Sequence, residues 1–165
     1  MRSQQKLLAR YLENIQPGRL EWIGLRPARR EAMQTVNSVQ AIAEYGLEGD
    51  RRCEATPGSG RQVTFISQEH IDVIASLLGR KSLQPALLRR NLVISGINLN
   101  ILRHQHFQIG NAIFLGTAPC HPCSRMNEVL GPQGAAMMYG HGGLCAKIIQ
   151  SGDINIGDSL VPIQR

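Results

Sequence analysis

With 165 residues, 42% of them hydrophobic, the chain fits one domain large enough to bury a real core. Seventeen glycines, eight prolines and few aromatics (4%) favour a turn-rich β chain over a helix bundle, and four cysteines at this length do not make a secreted disulfide framework, so a reducing cytoplasm is expected. The net charge of +6 comes with no basic run interleaved with aromatics and no apolar span, which excludes nucleic acid and membrane as expected partners.

Residues 3–16 read as an amphipathic helix, with Leu7, Leu8, Tyr11, Leu12 and Ile15 on one face and Pro17-Gly18 as its stop. It is predicted to be an accessory segment, residues 1–20, that packs on the domain of residues 21–165 or on a partner chain as an oligomer contact. Glu21–Arg26 is a short strand closed by Pro27, and Thr35–Ala41 is a second candidate. Tyr45–Arg52 is a turn in which two glycines enclose charged residues, followed by a flexible loop over Glu54–Gly60.

Arg61-Gln-Val-Thr-Phe-Ile66 alternates polar and apolar, as a half-buried strand does. Ser67 then caps a helix with Glu69 in its first turn, Ile71, Ile74 and Leu78 on one face, and Gly79 as its stop. From Arg89 onward the pattern reads as β: Asn91–Ser95, Ile97–Leu102 and Ala112–Leu115 as strands, with Phe107–Asn111 as a turn. Residues 131–143 are glycine-rich and part helical, and Leu144–Gln150 and Ser159–Ile163 flank a hairpin-like Gly152–Asp158. Many short strands with one or two good helices predict a mostly β (β-rich α+β) fold, a barrel carrying peripheral helices.

The stretch Thr117-Ala-Pro-Cys-His-Pro-Cys-Ser-Arg-Met126 carries the chemistry. Pro119 and Pro122 remove two amide donors, so the segment is expected to stand as a shaped loop at a strand end. Arg125, two residues after Cys123, favours a nucleophilic, metal-binding thiolate. The basic residues are fifteen arginines and only three lysines (Lys6, Lys81, Lys147), and much of the arginine is clustered: Arg26/Arg29/Arg30, Arg51/Arg52 and Arg89/Arg90. Arginine presents a planar fork of donors that suits phosphate and carboxylate groups.

With these pieces in place the chain resembles a MOSC domain, the module at the C-terminus of molybdenum-cofactor sulfurases that also occurs as small stand-alone bacterial proteins. The matching stretches are Gly46–Arg51, Arg61–Ile66, Arg89–Gly96, Phe107–Gly110, Pro122-Cys123 and Gly142-Gly143 through Gly157-Asp158, in family order over roughly residues 21–162. The resemblance implies a β-barrel and binding of a molybdopterin-type molybdenum cofactor. It puts the cysteine that ligates molybdenum or carries sulfur at Cys123, with Arg89, Arg90 and Asn91 around the pterin. Gly49, Asp50 and Arg51 fall at another edge of that site, and Arg61 joins the candidates for the cofactor's phosphate.

Three functions compete at this stage. The first is a small oxidoreductase in which Cys123 holds molybdenum and a separate reductase supplies electrons to reduce an N-hydroxylated or similar small molecule. The second is a carrier in which Cys123 takes sulfur as a persulfide from a desulfurase, or hands over the cofactor, with no turnover on this chain. The third is a structural zinc site from Cys120, His121, Cys123 and a distant Cys53 or Cys145. The roles of Cys120, His121 and His141 stay open.

Overall fold

The computed structural model describes residues 2–164; Met1 and Arg165, the outer ends of the two predicted segments, lie outside the described residues. Strands β1 (Gly18–Leu25), β5 (Val63–Ser67), β6 (Leu92–Ser95), β7 (His106–Ile109), β8 (Ala112–Pro119), β9 (Leu144–Gln150) and β11 (Ser159–Ile163) form one sheet. Its order is β11-β7-β8-β9-β5-β6-β1, and pairing of Gly18 and Arg19 in β1 with Leu160 and Ser159 in β11 closes it into a barrel. Strand β2 (Gln34–Val36) extends β1 outward, and β3 (Ser38–Ile42), β4 (Gly46–Leu47) and β10 (Gly152–Asn155) make a small second sheet. The predicted β-rich barrel is the observed fold.

One pairing in the barrel is parallel, β5 with β6. Parallel neighbours need a crossover, and α2 (Gln68–Leu77) supplies most of it. Ser67 ends β5 and caps α2, its Oγ accepting from the His70 amide at 3.1 Å. Glu69 reaches across to accept from the Gly96 amide at 2.7 Å, pinning the start of the helix to the end of β6. Among the described residues no helix is long and apolar enough to cross a membrane.

The period-2 alternation of strands divides the apolar residues between two cores. Phe65, Leu92 and Ile94 point into the barrel, where Phe65, Phe107 and Phe114 pack with centroids 5.4–5.6 Å apart. Ile66 and Val93 point out, and α2 covers them together with α3 (Arg125–Leu130) and α4 (Gly134–Met138). Met126, Leu130 and Met138 complete that outer core.

Four local expectations change. The N-terminal helix α1 (Arg2–Ala9) stops short of the predicted end and continues as a 3-10 turn, Arg10–Leu12, whose Leu12 is buried in the barrel core. Ile97–Leu102 is not a strand: Asn98 caps a 3-10 turn over Leu99–Leu102. The segment read as a turn, 107–111, holds strand β7, and the reversal is confined to Gly110-Asn111. Thr117–Pro119 does join the ladder, because Pro119 is the last residue of β8 and its missing donor costs the pairing with Leu144 little there.

Candidate functional site

The parallel pair decides what meets at one rim of the barrel. It sets the starts of β5 and β6 side by side, so Arg61, just before β5, lies near Arg89, Arg90 and Asn91, just before β6. Strand β1 runs antiparallel to β6 and delivers Arg26 to the same rim; β8 ends there just before Cys120, and β9 begins there with Leu144 and Cys145. Residues far apart in sequence thus converge.

Asp50, Arg90 and Asn91 form the buried polar floor, at 3%, 7% and 1% exposure. Asp50 Oδ2 accepts from the Arg26 amide (2.9 Å), Arg26 Nε (3.1 Å) and Asn91 Nδ2 (2.9 Å), while Oδ1 accepts from Arg26 Nη2 (3.1 Å) and the Arg52 amide (2.9 Å). Burial works to raise the Asp50 pKa, but the Arg26 contacts and charge outweigh it and hold the carboxyl below its usual range. Asn91 accepts from the Thr64 amide and hydroxyl and donates to Gly24 O at 3.0 Å, tying β5, β6 and β1 together. Arg90 donates to the carbonyls of Gly142 (2.7 Å), Leu88 (3.2 Å) and Cys120 (3.2 Å). The polar groups of all three are committed within the fold.

Further arginines stand around this floor. A cleft of about 610 Å³ is lined by Arg26, Arg51, Arg52 and Arg61, with Glu54 as its single acid. The Nε of Arg52 is buried there without a partner. A second cleft, about 480 Å³, shares Arg51 and holds the exposed thiol of Cys123 with Ser124, Arg125 and Arg29/Arg30. Arg89 occupies the left-handed region (φ 59°) and donates to the Glu31 carbonyl. Its pKa is lowered by burial and then by the charges of Arg26, Arg125 and Arg51, which shows how tightly the arginines crowd. Such a cluster is relieved by an anion.

Cys120 is far from an ordinary thiol. It is 1% exposed, its backbone amide donates to Gly143 O at 2.8 Å, and Arg61 Nη2 donates to its sulfur at 3.2 Å. Hydrogen bonding with the neighbouring Cys145 thiol, set against burial and joined by the charges of Arg90 and Arg61, brings the Cys120 pKa down to about 5. Cys145, as the donor and as a buried group beside that thiolate, is pushed up. Gly142 and Gly143 make the approach possible: a Cβ on Gly142 would stand 2.2 Å from Cys120 O, and one on Gly143 1.8 Å from Phe65 O. The pairing of Cys120 with Arg61 and Cys145 was not evident in the sequence; the signal is the strand register, since Cys145 lies opposite Ala118 and Cys120 follows two residues on.

The zinc reading does not assemble. Among the described residues no three His, Cys, Asp or Glu side chains gather as a metal would require, and the Cys53 thiol donates to Leu47 O. His121 stacks on Tyr139 with centroids 6.0 Å apart, and His141 packs edge-on against His70.

A closed, mostly antiparallel barrel with one crossover helix and an arginine-lined cleft at one rim defines the class. The chain belongs to the MOSC domain family, which matches residues 52–161, and such domains are associated in general with molybdenum-cofactor binding. No curated protein sequence matches it. Among solved structures, the fold is shared with the YuaD protein from Bacillus subtilis at 18% identity and a TM-score of 0.76, covering 88% of this chain and 94% of that one. It is likewise shared with YiiM from Geobacillus stearothermophilus at 16% identity and a TM-score of 0.73, over 90% and 76% of the two chains. YiiM from Escherichia coli aligns at 21% identity and a TM-score of 0.68, over 89% and 70%.

Proposed function

We propose that this chain binds the molybdenum cofactor in the arginine-lined cleft and works as a small reductase of N-hydroxylated or similar compounds, with electrons from a separate protein partner. The observation that carries this reading is the set of four arginines around one 610 Å³ cleft that adjoins, through Arg51, the cleft of an exposed thiol. The donor set fits the group. A pterin phosphate is an anion of the kind arginine forks bind, and the unpartnered Arg52 Nε is a buried donor awaiting an acceptor. A soft thiolate suits molybdenum, and Cys123 is the cysteine open to a ligand.

When bound, the molybdenum group would supply a two-electron redox centre. This chain's own residues do the rest. Arg51 and Arg61 face the cleft and bind the anionic end, with Arg89 at the far edge of the cluster. Arg90, Asn91 and Asp50 act as positioning residues: they hold the β5–β6–β1 rim and, through Arg26, one wall of the cleft. Cys123 is the metal ligand in this proposal, and Cys120 stays beneath, bound to Arg61.

The test is metal and pterin content of the chain purified from a host that makes the cofactor. Molybdenum and pterin should accompany the wild type, largely vanish in Cys123→Ser, and stay in Cys120→Ser. A wild-type protein free of both sinks the reading. The carrier alternative draws on the same exposure of Cys123, which a sulfur-donating partner could reach. Intact mass after incubation with a desulfurase and its substrate distinguishes it: the carrier gains one sulfur atom on Cys123 in the absence of metal.

A further inference from the structure

Cys120 and Cys145 are placed as a pair by the barrel itself. Cys145 lies opposite Ala118 in the β8–β9 ladder, and Cys120 is two residues beyond Ala118. Side chains two apart on a strand share a face, so the two cysteines are diagonal neighbours on one side of the sheet. Cys120 carries the ladder on past Pro119, its amide donating to Gly143 O at 2.8 Å, which keeps it against the start of β9 where Cys145 sits. Both are free thiols, at 1% and 5% exposure. A cleft of about 300 Å³, lined by Cys120 with Arg103, Tyr139 and Gly142, gives a small oxidant a way in.

We propose that Cys120 and Cys145 are a redox couple that closes to a disulfide under a hydroperoxide, and that closure frees Arg61 to act on the arginine cleft. The chemistry balances in two steps. The Cys120 thiolate attacks one peroxide oxygen, giving a sulfenic acid and releasing hydroxide. The Cys145 thiol then attacks the sulfenic sulfur, forming the S–S bond and releasing water. Two sulfur-centred electrons pass to the peroxide. Arg61 favours the first step because its Nη2 stabilises the thiolate at 3.2 Å. Closure removes that anion: a disulfide carries no charge, so Arg61 loses its counter-ion while still lining the 610 Å³ cleft. The effect on the cleft rests on the anion-binding reading above; the disulfide does not.

The test treats the whole chain with hydrogen peroxide, alkylates the remaining thiols, and maps the linked peptides. Cys120 should be joined to Cys145 with Cys123 alkylated, and the link should persist in Cys123→Ser and disappear in Cys145→Ser. In Cys145→Ser, whose fold circular dichroism would check, Cys120 should proceed to the sulfinic acid. A link from Cys120 to Cys123, or Cys145 fully alkylated after Cys120 has oxidised, overturns the couple. Calorimetric titration with inorganic pyrophosphate then compares reduced and oxidised protein. The oxidised form should bind severalfold more tightly, and Arg61→Gln should abolish the difference. Equal affinity in both forms overturns the release of Arg61. A mapped disulfide with no pyrophosphate binding in either form leaves the couple standing and defeats the anion reading of the cleft.

Discussion

At the scale of single residues, a buried thiolate makes stability depend on pH. Cys120 titrates near 5 in the fold, against an ordinary value of 9.0 in the unfolded chain. Between those values the unfolded chain holds a proton that the folded one has released, so stability rises with pH. The contribution is complete above the unfolded value and is lost as pH falls through the folded one. Cys145 is shifted the other way and adds loss of stability only above its ordinary value. Urea unfolding under reductant, from about pH 5 to about pH 8.5, should therefore steepen in favour of the wild type over Cys120→Ser; parallel curves would show that Cys120 is a thiol in the fold. Asp50 makes a second case. Asp50→Ala leaves the Arg26 guanidinium and the Asn91 amide without their acceptor in a buried site, and should cost about 3–5 kcal/mol in the same assay. A turn aspartate followed by arginines was legible in Gly49-Asp50-Arg51-Arg52, but its partner is Arg26, which only the meeting of β1 with the loop after β4 supplies. Cys120 and Cys123 are likewise three residues apart with a proline before each, and it is the ladder bond from Cys120 to Gly143 that buries one and leaves the other open.

At the scale of elements, local signals were read well where local physics decides. Ser67, Glu69 and Gly79 mark α2 by capping chemistry, and the structure uses each of them. Ser67→Ala removes the acceptor for the His70 amide and the donor to Glu69, and should cost about 1 kcal/mol by urea unfolding. Molybdenum content should not follow, since α2 lies over the outer core and away from the arginine cleft. Elements set by distant pairing were misread for a physical reason. Ile97–Leu102 has strand-like composition, but the barrel core takes up Ile97 from the bend before a 3-10 turn and Leu99 and Leu102 from the turn itself, which an alternating pattern cannot distinguish. Residues 3–16 have a helical stripe throughout, yet the chain must leave the helix at Ala9 to drive Leu12 into the core.

At the scale of the molecule, barrel closure and site assembly are one event. The rim that gathers Arg26, Arg61, Arg90, Asn91 and Cys120 exists only while β9 lies against both β5 and β8, and Gly143 stands where all three meet. Its φ of 103° disfavours any side chain, and an added Cβ would stand 1.8 Å from Phe65 O, a backbone atom that cannot turn aside. Its carbonyl also accepts from the Cys120 amide at 2.8 Å. Gly140 offers a control in the same loop: its φ is 82°, but nothing lies within 4 Å of an added Cβ. Gly140→Ala should thus show only the strain of a left-handed residue, about 1–2 kcal/mol. Gly143→Ala carries that strain and must also push β9 from β5, so its loss in thermal unfolding should be clearly larger. It should also loosen the Cys120 loop from Arg61 and make that thiol open to alkylation in the native protein, which Gly140→Ala should not do. If the two variants lose the same stability and Cys120 stays protected in both, the rim is held by something other than the meeting of these three strands.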